Sequence, residues 1–132
     1  MPSGESDLSL LLRGLNPVLH PGEYVFCTAD SAESPPGSEP LATFHEDEGM
    51  TLILEKNQAE KIGLTNSFPC AWITLSIHSA LNAVGLTAAV STALAKQDIP
   101  CNMVAGYYHD HLFIPLEAAD QAMQILRNLK GG

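Results

Sequence analysis

From Ile62 to Ala95 the chain carries no Lys, Arg, Asp or Glu. An uncharged run of that length either crosses a membrane or is buried inside a folded domain. Asn66, Ser76, His78, Ser79, Asn82 and several threonines interrupt it, and Pro69 falls near its start. These residues disfavour a span. The run reads instead as a strand followed by a small-residue helix. In CAWITLSIH, Ala71, Ile73, Leu75 and Ile77 fall on one face. Cys70, Trp72, Thr74, Ser76 and His78 fall on the other. Alternation with period two marks a strand. One face is suited to burial beneath helices, and the other is less apolar. Ser79 or Asn82 can cap the helix in AVGLTAAVSTALAKQD, whose alanines and glycine let it lie close to a sheet.

Two further strands follow, in IPCNMVAGYY and HLFIPL, and then a helix in EAADQAMQILRNL. That helix has acids in its first turn and Arg127 and Lys130 near its end, as the helix dipole favours. The order from Cys70 onward is β-α-β-β-α. It is a split ferredoxin-like unit short of one strand. The missing strand must come from earlier in the chain or from a partner.

The first half is less regular. Ser6 can cap a helix whose stripe is Leu8, Leu11, Leu12 and Leu15, stopped by Asn16-Pro17. PGEYVFCTA reads as a strand, and Asp30 to Pro40, with three prolines, as a loop. LATFHEDEGMTLILEK predicts two short strands around a turn at Glu46 to Gly49. NQAEKIGL predicts a short helix ending at Gly63, and TNSFP a linker.

Charge is distributed unevenly. Residues 1–60 hold 11 acids and 2 bases, whereas residues 61–132 hold 4 of each. A net charge of −9 without a basic patch argues against nucleic acid or an anionic membrane as partner. The start, MPSGESD, lacks the positive and then apolar pattern of a secretory signal. Three scattered cysteines, Cys27, Cys70 and Cys101, form no CxxC pair. They read as small buried hydrophobes in a reducing, cytoplasmic setting. No phosphate loop, HExxH spacing or paired carboxylates appear, so neither a cofactor nor an enzyme is expected.

The strand, the Val84-Gly85-Leu86 turn, the helix and Ile99 to Asn102 before the next strand together resemble the ACT domain. The segments AWITLSIHSALNAVGLTAAVSTALA and CNMVAGYYHDHLFIP are similar to small bacterial paired-ACT proteins. LNPVLHPGEYVFCT and ATFHEDEGMTLILEK extend that likeness to the N-terminal half. EDEGMTLILEK and AWITL are also similar to the cytosolic arginine sensors called CASTOR.

The resemblance implies an α+β fold of two ferredoxin-like βαββαβ units, at 1–66 and 67–132. Their antiparallel sheet would carry helices on one face. It implies a regulatory module that binds an amino acid where two units meet, as a homodimer acting on a separate protein. A structural or interaction dimer without a ligand is the alternative. The ligand carboxylate would lie at the helix N-terminus, near His78, Ser79, Ala83, Val84, Gly85 and Leu86. Free N–H groups and the positive dipole end suit an anion there. Asn102 and Met103 would line the neighbouring strand. Glu46, Asp47 and Glu48, the densest acids, would suit the ammonium. Gly85 is expected to be needed for ligand space rather than for its backbone conformation.

Some bland readings compete with the sharp ones. If His109, Asp110 and His111 lie in a strand, both imidazoles point to one face, about 7 Å apart. That is a partial metal site without a third ligand nearby. If Asp110 is instead in a turn, the histidines flank a hairpin mouth, and this is the expected arrangement. His78 and Ser79 point to opposite faces and do not make a catalytic dyad. Trp72, on the less apolar face, needs cover from a second unit or a second chain.

Overall fold

The computed structural model describes residues 7–30, 33–77 and 84–131. In chain order the elements are α1 (Leu8–Arg13), β1 (Pro17–Leu19), β2 (Tyr24–Ala29), β3 (Ala42–Glu46) and β4 (Gly49–Glu55). Then come α2 (Lys56–Lys61), β5 (Cys70–Leu75), α3 (Leu86–Ala95), β6 (Asn102–Ala105) and β7 (Asp110–Pro115). A 3-10 turn, Leu116–Ala118, leads into α4 (Ala119–Gly131). The chain divides into two packing units: Met1–Pro21 with Ala71–Gly132, and Gly22–Cys70.

The first of these units starts with α1. Its cap is Asp7, whose carboxylate accepts from the Leu10 N–H at 3.2 Å and from the Ser9 hydroxyl at 2.9 Å. Those donors hold its pKa below the usual carboxylate range. Ser6, the cap expected from sequence, lies outside the described residues. Leu11 and Leu15 are fully buried.

Beyond Asn16 the chain does not simply stop a helix; it forms β1. Pro17, Val18 and Leu19 pair antiparallel with Leu75, Thr74 and Ile73. Two hydrogen bonds extend the pairing, from Ser76 N to Asn16 O at 3.1 Å and from His20 N to Trp72 O at 2.9 Å. The strand missing from the C-terminal β-α-β-β-α order is therefore supplied by the same chain. Within this unit the strand order is β1-β5-β7-β6.

The core follows from the alternation. Ala71, Ile73 and Leu75 of β5 and Leu112 and Ile114 of β7 point to one side. There they meet Leu86, Val90 and Leu94, spaced every fourth residue on α3, and Ala122, Met123 and Leu126 of α4. Each large side chain buried this way contributes about 1.5–3 kcal/mol. Trp72, Thr74, His111 and Phe113 alternate with these residues and lie on the opposite face.

The second unit has strand order β3-β4-β2, all antiparallel. Val25, Cys27, Met50, Leu52, Leu54 and Ala59 of α2 form its core. Its two ends are strand partners, Tyr24 opposite Cys70. The proline-rich loop is tied down by the Glu39 N–H, which donates to Gln58 Oε1 at 2.6 Å. Leu41 N–H donates to Ile53 O at 2.7 Å. Among the described residues, no helix is long and apolar enough to cross a membrane.

Candidate functional site

The helix start singled out in the sequence is that of α3. His78, Ser79 and Ala83 lie outside the described residues, as does the alternative cap Asn82. The cap is Gly85, with φ +102°, which has no side chain to cap the helix. The first intrahelical bond runs from Ala89 N to Gly85 O, at 2.8 Å. The N–H groups of Leu86, Thr87 and Ala88 precede it and have no acceptor within the helix. Val84 is 82% exposed beside them, and Leu86 is buried in the core.

Gly85 differs from the expectation in one respect. Its left-handed backbone is itself a reason for glycine. A Cβ would also come within 3.0 Å of Leu8 Cδ2, so the chain's own leucine fills that space. Gly85→Ala is expected to lower stability without any ligand, by about 1 kcal/mol or more. Urea denaturation of the two proteins measures it.

Asn102 and Met103 lie on β6. The Asn102 amide donates to Phe113 O at 3.3 Å, which stitches β6 to β7. Met103 packs against the core of its unit.

Glu46, Asp47 and Glu48 occupy the predicted β3–β4 turn. Glu46 pairs with Gly49, and Asp47-Glu48 form the two-residue tip. With Asp30, His45, Gly49 and Met50 they line an open cavity of about 410 Å³. Glu46 accepts from the Thr51 hydroxyl. These acids belong to the Gly22–Cys70 unit, and the start of α3 to the other.

The β6–β7 hairpin is present, but its turn is not where Asp110 suggested. Gly106 N–H donates to His109 O at 2.9 Å, so Tyr107 and Tyr108 form the tip. Asp110 already belongs to β7, opposite Ala105. A Cβ on Gly106 would meet His109 O at 2.8 Å, which explains the glycine. Among the described residues, no group of three or more His, Cys, Asp or Glu is placed to hold a metal ion.

His111 instead joins a cluster that the sequence did not announce. The Trp72 indole N–H donates to His111 Nδ1 at 3.1 Å. Thr74 Oγ1 lies 3.0 Å from the same nitrogen and 2.7 Å from His20 Nε2. His20 stacks on Trp72, with centroids 3.6 Å apart and planes within 16°. One face of Trp72 is thus covered from within its own unit. Burial pushes both imidazoles below their ordinary pKa. Burial likewise pushes the Cys27 and Cys101 thiols up, which makes them poor nucleophiles.

Comparison with known proteins adds the family. A family model described as an ACT domain matches residues 3–71, and a second matches residues 67–128. The chain belongs to the ACT-domain family. The two ACT matches meet at 67–71, whereas the packing units place Met1–Pro21 with Ala71–Gly132. A crystal structure of a Vibrio cholerae protein of unknown function, described as a possible transport protein, is 49% identical. It covers 93% of this chain and 95% of its own, with a TM-score of 0.85. An Agrobacterium tumefaciens protein is 16% identical over 88% of this chain and 89% of its own, with TM-score 0.69. The ligand-free regulatory subunit of aspartate kinase from Thermus thermophilus is 11% identical. It covers 86% of this chain and 95% of its own, with TM-score 0.63. The last two share the paired ACT fold, antiparallel sheet with helices. No curated protein matches the chain. ACT domains are typically regulatory, amino-acid-binding modules rather than catalytic ones.

Proposed function

We propose that this paired-ACT protein binds an amino acid or a similar zwitterion. Its carboxylate would sit at the start of α3, where His78, Ser79, Ala83, Val84, Gly85 and Leu86 converge in sequence. The observation that carries the reading is the helix start itself. A left-handed Gly85 leads into three N–H groups with no helical acceptor, and the glycine has no side chain with which to cap them. Such an end favours an anion through its donors and its dipole. Asn102 and Met103, on β6 of the same unit, complete the proposed set. The protein is a cytoplasmic, non-catalytic homodimer in this reading, and it passes its bound state to a separate protein.

A thermal-shift screen of the twenty amino acids tests it. A specific ligand at 100 times its Kd stabilises the folded state by about 2.7 kcal/mol. A flat screen favours a purely structural ACT dimer and overturns the binding reading.

A further inference from the structure

The His20, Trp72, Thr74 and His111 contacts fix where the hydrogens go. An indole N–H can only donate, so His111 Nδ1 must be an acceptor. A neutral His111 then carries its proton on Nε2. Thr74 has one hydroxyl hydrogen. Facing the unprotonated Nδ1 at 3.0 Å, it donates there. Its oxygen is left to accept from His20 Nε2–H at 2.7 Å. The reverse assignment sets two lone pairs against each other between Thr74 and His111. The direction free of facing lone pairs runs from His20 through Thr74 to His111, and the Trp72 N–H and Thr74 hydroxyl share the single Nδ1 lone pair.

A proton on His111 Nδ1 destroys that direction. The new N–H confronts the Trp72 N–H at 3.1 Å. The Thr74 hydroxyl must turn its hydrogen off Nδ1, which breaks the chain that ran on from His20. At the C-terminal end of β1 the His20 ring adds a side-chain tie to the backbone pairing and to the His20 N–H bond to Trp72 O. β1 has three paired residues, and Val18 and Leu19 are exposed.

We propose that His20, Trp72, Thr74 and His111 form a pH-sensitive latch that ties the N-terminal segment to β5, opened by protonation of His111. The titratable groups acting on His111 are His109 and Asp110 on its own hairpin and His20 on the N-terminal segment. Its neighbours on β5, Trp72 and Thr74, do not titrate. Burial depresses the His111 pKa first, then the positive charges of His109 and His20, against a smaller opposing effect of Asp110. A depressed imidazole contributes stability that is complete above the ordinary value of about 6.5. It is lost as pH falls below that value toward the lowered one. The latch is closed at neutral pH and loosens in mild acid.

Amide hydrogen exchange reads the latch directly. The His20 and Ser76 N–H groups bond to Trp72 O and Asn16 O across the β1–β5 pairing. After correction for intrinsic exchange, their protection is expected to fall as pH drops below about 6.5, by up to about tenfold per pH unit. His111→Asn keeps an acceptor near the Nδ1 position and cannot titrate. In that variant the fall over the same range is expected to shrink to what His20, also pushed below its ordinary pKa by burial, contributes. Unchanged protection in the parent, or an equal fall in His111→Asn, overturns the proposal. Nitrogen NMR of the unaltered protein gives a second test that does not depend on the variant folding. Near neutral pH, His111 is expected as the Nε2–H tautomer, and an Nδ1–H tautomer overturns the proposal.

Discussion

Replacing Leu11 with Ala is expected to lower the unfolding free energy by about 2–5 kcal/mol. Leu11 lies early in the sequence, on α1, yet it is fully buried in the core built by β5, β7, α3 and α4. Truncation removes apolar contact and leaves a cavity that packed neighbours refill only in part. Total stability of a domain is about 5–15 kcal/mol, so one such loss is large. Urea unfolding measures it. Hydrogen exchange should place the weakening in β5 and α4 rather than in the Gly22–Cys70 unit. A change below about 0.5 kcal/mol, as for an exposed leucine, would contradict the packing described above.

A larger loss is expected when the chain is cut to residues 67–132. That fragment holds the β-α-β-β-α order but lacks α1 and β1. It loses Leu11 and Leu15, both fully buried, at about 2–5 kcal/mol each. It also leaves Ile73, Thr74 and Leu75 without the partners that β1 provides. The sum is comparable with the whole stability of a small domain. The fragment is expected to show no cooperative thermal transition by circular dichroism. A peptide spanning residues 7–21, added in trans, should restore one. A sharp melt of the fragment alone would mean that the N-terminal segment is dispensable and that 67–132 folds by itself.

Much of the C-terminal half was legible because its signals are local. The alternation in CAWITLSIH put Ala71, Ile73 and Leu75 on the buried face, where they are found. The helices α3 and α4 and both strands of the hairpin fell close to their expected places. Pro17-Val18-Leu19 was missed for a physical reason. Three residues are too few to show a period, Val18 and Leu19 are exposed, and the reason for the strand lies more than fifty residues away in β5. The tip of the hairpin was misplaced because Asp110 is a good turn residue, whereas Tyr107 and Tyr108 favour strands. Backbone geometry at Gly106 outweighed both preferences.

At the candidate site, the need of Trp72 for cover was visible on the less apolar strand face. What covers it was not, since nothing adjacent in sequence links His20 to Trp72. Gly85 was legible as a required glycine, and its positive φ supplies a reason that spacing alone does not reveal. The acids Glu46 to Glu48 were legible as a turn, because Gly49 follows them at the start of β4.

The pairing of Tyr24 with Cys70 has a kinetic consequence. For β1 to meet β5, the chain must close a loop that spans the whole Gly22–Cys70 segment. If that segment were an unfolded coil, the search would carry the entropic cost of a long loop. Once the segment folds, its two ends stand side by side as strand partners. The remaining gap is then only the few residues flanking Tyr24 and Cys70. On a ribosome, the N-terminal helix and strand emerge first but have nothing to pair with until β5 is made. The inserted unit is expected to fold in that interval, and the C-terminal core to assemble last, on a closed loop. Slowing the inserted unit, for instance by weakening β2–β4, should therefore slow the appearance of the β1–β5 pairing even though no residue of that pairing is altered.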